Sequence, residues 1–483
     1  MNIVKIFKEK YFSNKVLLGE WILAIVTGLL IFATTSYTDS QSLTIWSTNV
    51  WDVIVDSNIR HLYEYTAENI YNVPHTYLGS ELMSILPWSI WNLPIWLIQR
   101  FAGISIINSP WMLAYSKLFL VVSTVVMLRY TYKICFLLTQ NKSKSMWCVF
   151  LTASSMYLYI TVCYSGQNDI LMITASVMAV YYLLSGKSKQ FYLLSSLAIA
   201  IKPFYLLPYI AVIFLYEKDI FKIALKVLVG ISGIVIQKIC FIGAPMYAES
   251  MSMGPSISII KEMFPGNLKT AFGSVSFFAI ALVLIYFYAY TRKFDKKTFA
   301  NIRIEEGKHV IHLITVTYLS YLMFSPFSYY RIALLIPFLY LVIIQNKDYY
   351  LYNVLLECAM SLALMFNFVL RGANLFRLKH MNRSIFQDLM GYKVDYKNAF
   401  YPSLADWFGI NFEIIYDFQA FFSGIALITA ILLLLLNHPS NKIKLQTKAE
   451  DCPRVIFWLR TVMLIPFLLR TILLFVSTSC KIY

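Results

Sequence analysis

Long apolar runs separated by short polar segments dominate this chain. A helix needs roughly 20 apolar residues to cross a bilayer, and several of the runs approach or exceed that length. The runs predict spanning helices at 16–36, 110–137, 146–164, 169–184, 190–201 paired with 203–216, 220–242, 271–291, 309–325, 331–345, 350–370, 417–436 and 455–476. We therefore predict an all-α fold, a polytopic transmembrane helix bundle of about 11–13 spans.

Composition supports a membrane protein. Of the 483 residues, 59% are hydrophobic and 14% are charged, whereas an ordinary soluble domain carries about 25% charged residues. So few charges cannot cover a water-facing surface of this size. The net charge of +16 lies mostly in short loops between apolar runs. This pattern is typical of the positive-inside rule, and we expect no nucleic-acid partner.

Loop charges also orient the predicted bundle. If residues 1–15 are cytoplasmic, the long segments 37–109, 243–270 and 371–416 face outside. The first of these carries six carboxylates against two arginines, as expected for an external segment. The first apolar run is long enough to span and no A-x-A site follows it, which favours a retained helix over a cleaved signal peptide.

One apolar run, 85–101, complicates this orientation. If it spans the membrane, the loop around Lys142 and Lys144 moves to the outside. Its two prolines and its tryptophans favour an interfacial or re-entrant helix on the external surface. We therefore predict a multi-pass protein of the cell membrane with a cytoplasmic N-terminus.

The first external segment contains the candidate general base. Asp39 follows the first span directly, and Asp52 and Asp56 lie further along. A carboxylate within hydrogen-bond reach of a sugar hydroxyl can accept its proton. Asp39 is our first choice, because it lies nearest the end of the helix and is better anchored. The ordinary alternative is a solvated loop aspartate.

A polar turn at 164–169 interrupts two apolar runs. Gln167, Asn168 and Asp169 bring hydrogen-bonding groups to the membrane edge, and Asp169 falls at the start of the next run. Polar residues at such a depth are costly and often functional, so we predict that these three bind the sugar or the acceptor. A solvated connection with a capping aspartate is the alternative.

Two cations stand beside apolar segments. Lys202 lies between two apolar half-helices and precedes Pro203, which breaks the helix. A bound phosphate would offset the cost of burying the ammonium, whereas snorkelling to the interface would avoid it. Arg331 follows Tyr329 and Tyr330, and we predict that it clamps a phosphate while the tyrosines contact a sugar. The alternative is an aromatic belt with one anchoring arginine.

The last predicted external loop is basic. Arg371 and Arg377 lead a group that suits an anionic saccharide or a pyrophosphate, although an ordinary surface loop would also look this way. Glu306, His309 and His312 have the spacing of metal ligands but lie at the predicted cytoplasmic edge without a further ligand. We expect no metal site there and no cofactor, and the sequence leaves a metal requirement open.

Four of these segments, in this order, resemble the GT-C superfamily of integral-membrane glycosyltransferases, which use polyprenyl-phosphate sugars. The nearest branch is that of the polyprenol-phosphate-mannose-dependent mannosyltransferases and related bacterial polysaccharide enzymes. The resemblance rests on Asp39 after the first span, on 165–169 before an apolar helix, on 201–204 and on 325–331. It covers about residues 16–345. A GT-C-like catalytic module at 1–345 would then precede additional helices at 346–483 with their external loop 371–416.

The resemblance implies a specific reaction. A sugar would pass from a polyprenyl-phosphate donor to a glycan or glycolipid acceptor at the external face, with inversion and with a loop carboxylate as general base. Lys202 and Arg331 would hold the donor phosphate. Two other functions remain open: an O-antigen-type polysaccharide polymerase, favoured by the arginine-rich loop, and a lipid-linked oligosaccharide flippase or other transporter. The chain has no nucleotide-binding glycine motif that would favour ATP-driven transport.

Overall fold

A computed structural model describes a mainly helical chain, which confirms the helical part of the prediction. The described residues are 18–68, 78–105, 109–253, 263–271, 273–294, 302–326, 328–346, 350–370, 383–391, 412–440 and 463–465. Within these ranges the only sheet is an antiparallel hairpin of β1 (Leu268–Thr270) and β2 (Gly273–Val275), in which Leu268 lies opposite Val275.

The segment after the first helix consists mostly of further helices. Helix α1 (Leu18–Thr34) meets α2 (Thr38–Asp56) at an angle of 73°. The elements that follow are a 3-10 turn (Ile59–His61), α3 (Leu62–Glu68), α4 (Leu82–Trp91) and α5 (Leu93–Ala102). The prediction of a loop was therefore wrong over most of 38–68, whereas α4 and α5 agree with the interfacial or re-entrant helix expected at 85–101. The external position of this segment stays a prediction. Many polar side chains of α2 are buried by neighbouring helices, so hydropathy alone marks the helix as a loop.

The central helices follow the predicted apolar runs closely. They are α6 (Pro110–Thr139), α7 (Lys142–Ala153), α8 (Met156–Leu158) with a π-helical turn (Tyr159–Tyr164), α9 (Asp169–Leu184), α10 (Ser188–Ile201), a 3-10 turn (Pro203–Tyr205), α11 (Leu206–Tyr216) and α12 (Ile220–Phe241). The predicted break at Lys202 is confirmed, since its extended backbone separates α10 from the 3-10 turn.

The remaining part of the chain adds further helices. They are α13 (Tyr247–Met253), α14 (Phe277–Thr291), α15 (Ile302–Phe324), a 3-10 turn (Tyr329–Leu335), α16 (Phe338–Gln345), α17 (Tyr350–Leu370), α18 (Ile385–Met390) and α19 (Phe412–Leu436). The predicted span at 455–476 lies outside the described residues except for 463–465.

The core surrounds α9 and α16. Every side chain from Phe338 to Ile344 is buried, and so are nearly all side chains in the first half of α9. Helix α6 packs against both elements, and α15 packs against α16. The start of α9 is therefore a well-fixed point in the molecule, and it is there that the polar residues meet.

Several helices have the length and composition of membrane spans. Among the described residues, three helices qualify by themselves: Pro110–Thr139, Ile220–Phe241 and 418–436 of α19. The number rises to five if each of two bent helix pairs counts as one span. Other apolar helices, such as α9 and α14, are shorter than a full span. Helix α12 exposes Leu225, Leu228, Ile236 and Ile239 on its surface.

Candidate functional site

Asp39 stands in the first turn of α2, directly after the bend between α1 and α2. A carboxylate at this position is stabilised by the helix dipole, which places partial positive charge at the N-terminus. Nε2 of Gln167 donates a hydrogen bond to its Oδ2 at 2.5 Å. The side chain remains partly exposed. Asp39 is therefore fixed on a helix and not, as predicted, on a loop.

Gly166 allows the polar turn to approach α2. Its φ of +60° lies in the left-handed region, and a Cβ there would lie 2.7 Å from Cβ of Ser40. The backbone N–H of Gln167 also donates to the carbonyl of Thr161 in the π-helical turn, at 2.9 Å. These contacts hold the buried Gln167 side chain beside Asp39. The structure thus brings together two residues that are 128 positions apart in the chain.

Asp169 and Lys202 form an ion pair at the base of this turn. Asp169 is the first residue of α9, as the predicted start of that helix requires, and its side chain is fully buried. Nζ of Lys202 lies 2.6 Å from its Oδ2, and the lysine side chain is 21% exposed. In the described part of the chain, Oδ1 of Asp169 has no hydrogen-bond partner. Phosphate binding by Lys202 stays a prediction, and the ammonium would have to share its donors with Asp169.

Arg331 lies behind this pair and is buried, with 5% of its surface exposed. It was expected on an external turn, but it belongs to the 3-10 turn that precedes α16. Its Nη1 donates to the hydroxyl of Tyr321 at 3.2 Å, and its guanidinium carbon lies 5.3 Å from the ring centre of Phe204. The charge of Asp169 acts on the guanidinium. Arg331 is therefore positioned by cation–π and hydrogen-bond contacts next to the ion pair.

The two predicted tyrosines connect Asp39 with Arg331. The ring of Tyr329 is buried and packs edge-on against Tyr37, with centroids 6.4 Å apart, and against Tyr330 at 5.6 Å. Thr161 donates to the backbone carbonyl of Tyr330 at 2.8 Å. Asp39 lies close enough to Tyr330 to influence its hydroxyl electrostatically. Burial of Tyr329 makes it a wall of the site rather than an exposed stacking platform.

The alternative bases, Asp52 and Asp56, lie elsewhere. A helix rises about 1.5 Å per residue, so the 13 positions from Asp39 to Asp52 correspond to roughly 20 Å. Asp52 accepts a 2.7 Å hydrogen bond from Nε1 of Trp96. Asp56 binds Arg100 through both oxygens, at 2.7 and 2.8 Å. Both carboxylates tie α2 to α5, and the structure does not bring them to Gln167.

Sequence reasoning missed Lys117. This side chain is 3% exposed in the first half of α6, and its Nζ donates to the carbonyl of Thr35 at 3.2 Å. The ammonium also lies 4.6 Å from the ring centre of Phe32. It therefore caps the C-terminus of α1, where a cation is favourable. The sequence does contain a signal for this residue, because Lys117, like Lys202, is a lysine within an apolar run.

The remaining predicted residues divide between the site and the rest of the chain. Asn168 is buried directly before α9, and its carbonyl accepts from the N–H of Leu171 at 3.0 Å. Arg371 and Arg377 lie outside the described residues. Arg383, from the same predicted loop, donates to Oε1 of Gln41 at 3.1 Å. Arg383 of that segment therefore contacts α2 two residues beyond Asp39.

The site combines a partly exposed carboxylate, an ion pair whose own carboxylate is buried, and a buried guanidinium at one end of an apolar helical bundle. The carboxylate can accept a proton, and the two cations can stabilise an anion beside it. No group of three or more His, Cys, Asp or Glu residues that could hold a metal occurs within the described ranges. No family model, curated protein or solved structure matches this chain.

Proposed function

We propose that this chain is a GT-C-type glycosyltransferase of the cell membrane, which moves a sugar from a polyprenyl-phosphate carrier to a glycan or glycolipid acceptor. The observation that carries the proposal is the meeting of Asp39, Gln167 and the Asp169–Lys202 pair at one end of the bundle. These residues come from three separate segments, and all of them had been singled out as site residues by their sequence.

The surface of the bundle supports a membrane location. Apolar side chains of α12 and α19 are exposed in long stripes, and a bilayer is the solvent that would cover them. Apolar helices shorter than a full span can cross the membrane as consecutive pairs. In this proposal α10 and α11 form such a pair, with Lys202 between them. We propose about 11–13 crossings on this basis, with a cytoplasmic N-terminus and the Asp39 end at the external face.

In the proposed reaction, Asp39 accepts the proton of an acceptor hydroxyl. The hydroxyl oxygen attacks the anomeric carbon from the side opposite the phosphate, which inverts the configuration. The bond between the anomeric carbon and the phosphate oxygen breaks as the new glycosidic bond forms, and polyprenyl phosphate leaves with the electron pair. The leaving group gains negative charge, which nearby cations stabilise. Lys202 and Arg331 have this role in the proposal, and Gln167 positions Asp39.

The donor distinguishes this proposal from other glycosyltransferase chemistries. Purified protein in lipid nanodiscs is supplied with labelled polyprenyl-phosphate sugar or, in parallel, with the corresponding nucleotide sugar. We expect transfer to an acceptor glycolipid only from the lipid-linked donor. Transfer only from the nucleotide sugar would contradict the proposal.

A polysaccharide polymerase is the second candidate. It is favoured by the contact of Arg383 with Gln41, which brings this arginine of the segment 371–416 to the region of Asp39. Replacing Arg371 and Arg377 by Ala separates the two functions. A polymerase would make shorter chains with single-sugar addition intact, whereas a single-sugar transferase would give the same product at an altered rate.

A further inference from the structure

A second polar cluster lies at the other end of α15. This helix carries His309 and His312 in its first half, whereas Tyr321, the partner of Arg331, lies in its last turns. Twelve residues separate His309 from Tyr321, which corresponds to about 18 Å along a helix. The cluster is therefore well separated from the candidate catalytic site and is independent of the function proposed for it.

Three elements contribute to this cluster. Arg292 directly follows α14, the two histidines project from α15, and His438 follows α19. The rings of His312 and His438 are 5.2 Å apart between centroids. Nη2 of Arg292 donates to Oγ of Ser440 at 3.1 Å. The segments after α14 and α19 thus meet over the first half of α15.

Three nitrogen atoms in the cluster are buried without a hydrogen-bond partner in the described structure. They are Nε of Arg292, Nε2 of His309 and Nδ1 of His312. His309 is 1% exposed and His312 is 6% exposed. Buried polar nitrogens are normally paired, because leaving one unpaired forfeits its hydration without compensation. Nε of Arg292 always donates, and each of the two imidazole nitrogens donates when it carries a hydrogen, so a ligand with several oxygen atoms can satisfy all three.

The hydrogen bonds of the cluster define which nitrogens can donate. Nδ1 of His309 lies 2.8 Å from the carbonyl of Glu305, which can only accept, so Nδ1 carries a hydrogen. Its Nε2 then donates to a ligand when the ring is protonated. The N–H of Ser440 donates to Nδ1 of His438 at 3.2 Å, so the hydrogen of that neutral ring lies on Nε2. Nε of Arg292 always carries a hydrogen.

The surrounding charge is positive. Lys293 adjoins Arg292 and is exposed. Burial lowers the pKa of Lys218, and the positive charge of the nearby Lys293 lowers it further. The nearby carboxylate of Glu305 is paired with Lys308 at 2.7 Å, which offsets its charge. The ligand for such a cluster is an anion, and a phosphate group presents enough oxygens for all three nitrogens.

We propose that Arg292, His309 and His312 bind the phosphate group of a ligand between α14, α15 and α19. Arg292 supplies the permanent charge and one N–H, and His309 takes up a proton from solvent when the phosphate enters. In a membrane protein this end of the bundle lies on the side of the basic loops, where a phospholipid headgroup can reach it. Free phosphate has the same chemistry, and the experiment separates the two sources.

The test is a binding titration on the full-length protein, purified in detergent and stripped of lipid. Thermal unfolding is followed against phosphatidylglycerol, phosphatidylcholine or inorganic phosphate. We expect phosphatidylglycerol to raise the unfolding temperature more than phosphatidylcholine does. Arg292→Gln should weaken this binding by about tenfold or more, since it removes a charge-assisted hydrogen bond. Arg303→Gln is the matched control, because Arg303 is exposed on α15, the helix that carries the two histidines.

Each outcome decides the proposal. Stabilisation by inorganic phosphate without phosphatidylglycerol supports the site and assigns it to a free phosphate. If Arg292→Gln does not fold, His309→Gln tests the same point and keeps the bond between Arg292 and Ser440. The proposal is overturned if neither phosphate source stabilises the protein, which would leave only water in the cluster. It is also overturned if both variants bind as tightly as the Arg303→Gln control.

Discussion

The two ends of α2 carry the same chemical group in different settings. At its C-terminal end, Asp56 forms a two-oxygen ion pair with Arg100, and both side chains are 42% exposed. At its N-terminal end, Asp39 accepts from the buried amide of Gln167, close to a buried ion pair. The first contact ties two neighbouring helices together at the surface. The second joins residues from distant segments at one point, as an active site requires.

The largest expected effect separates these two aspartates. Asp39→Asn keeps the size of the side chain and removes its basicity, so it should lower sugar transfer by roughly 10²–10⁴-fold. Asp56→Asn is the matched control on the same helix and should leave transfer near wild type, because an exposed ion pair contributes only about 0–1 kcal/mol. Initial rates with the lipid-linked donor check this. Equal losses of transfer activity in both variants would show that the two aspartates of α2 do not differ in function.

The ion pairs near the two ends should differ in their contribution to stability. Lys202→Met leaves the carboxylate of Asp169 buried without its cation and should lower the free energy of unfolding by about 3–5 kcal/mol. Arg100→Met, at the exposed pair, should leave it close to the wild-type value, because exposed ion pairs contribute little to stability. Replacing Asp169 by Leu together with Lys202→Met should restore most of the loss. Unfolding in detergent measures all three, and similar values for the two single variants would contradict the assignment.

Substitution of Gly166 tests whether the polar turn at 164–169 must contact α2 for activity. Gly166→Ala introduces a residue at positive φ, which costs about 1–2 kcal/mol, and also a clash with Ser40. Gly103→Ala has a similar φ of +66° with no atom within 4 Å of the added Cβ, so it reports the backbone cost alone. We expect Gly166→Ala to be the less stable of the two and to lose transfer activity, since Gln167 shifts. Unchanged activity would show that the approach is unimportant for Asp39.

The smallest effect concerns a carboxylate remote from both ends of α2. Lys226 and nearby backbone N–H groups lower the pKa of Glu217 from 4.5 to about 2. A lowered folded-state pKa adds stability that is present above the unfolded value and is lost as the pH falls toward 2. Lys226→Met should therefore reduce thermal stability slightly at pH 7, and the difference should shrink between pH 4.5 and 2. If the stability difference between Lys226→Met and wild type stays constant from pH 4.5 to 2, it arises from lost packing and not from the charge of Glu217.

The sequence predicted those elements whose apolar pattern decides their structure. The run 169–184 became α9 with the same bounds, and the break at Lys202 appeared between two apolar helices as Pro203 had indicated. Asp39, Gln167, Asp169, Lys202 and Arg331 were all singled out by charge or polarity within apolar surroundings.

The features that the sequence did not predict depend on contacts between distant segments of the chain. Helix α2 contains many polar residues, and hydropathy predicts a loop there. The structure buries its Ser47, which accepts from Nδ2 of Asn92 at 2.8 Å, and the same amide donates to Ser116 of α6. The pairing of Asp169 with Lys202 likewise joins the start of α9 to the break that follows α10. No local pattern specifies such partners, so only the folded chain reveals them.

The central claim is that the Asp39 end of the bundle makes a glycosidic bond. The most direct measurement follows both products at once, using wild-type protein in nanodiscs with a labelled polyprenyl-phosphate sugar and an acceptor glycolipid. We expect polyprenyl phosphate and glycosylated acceptor to appear in equal amounts and at equal rates. Movement of the intact donor across a proteoliposome membrane, with neither product formed, would contradict the proposed transferase and identify a transporter.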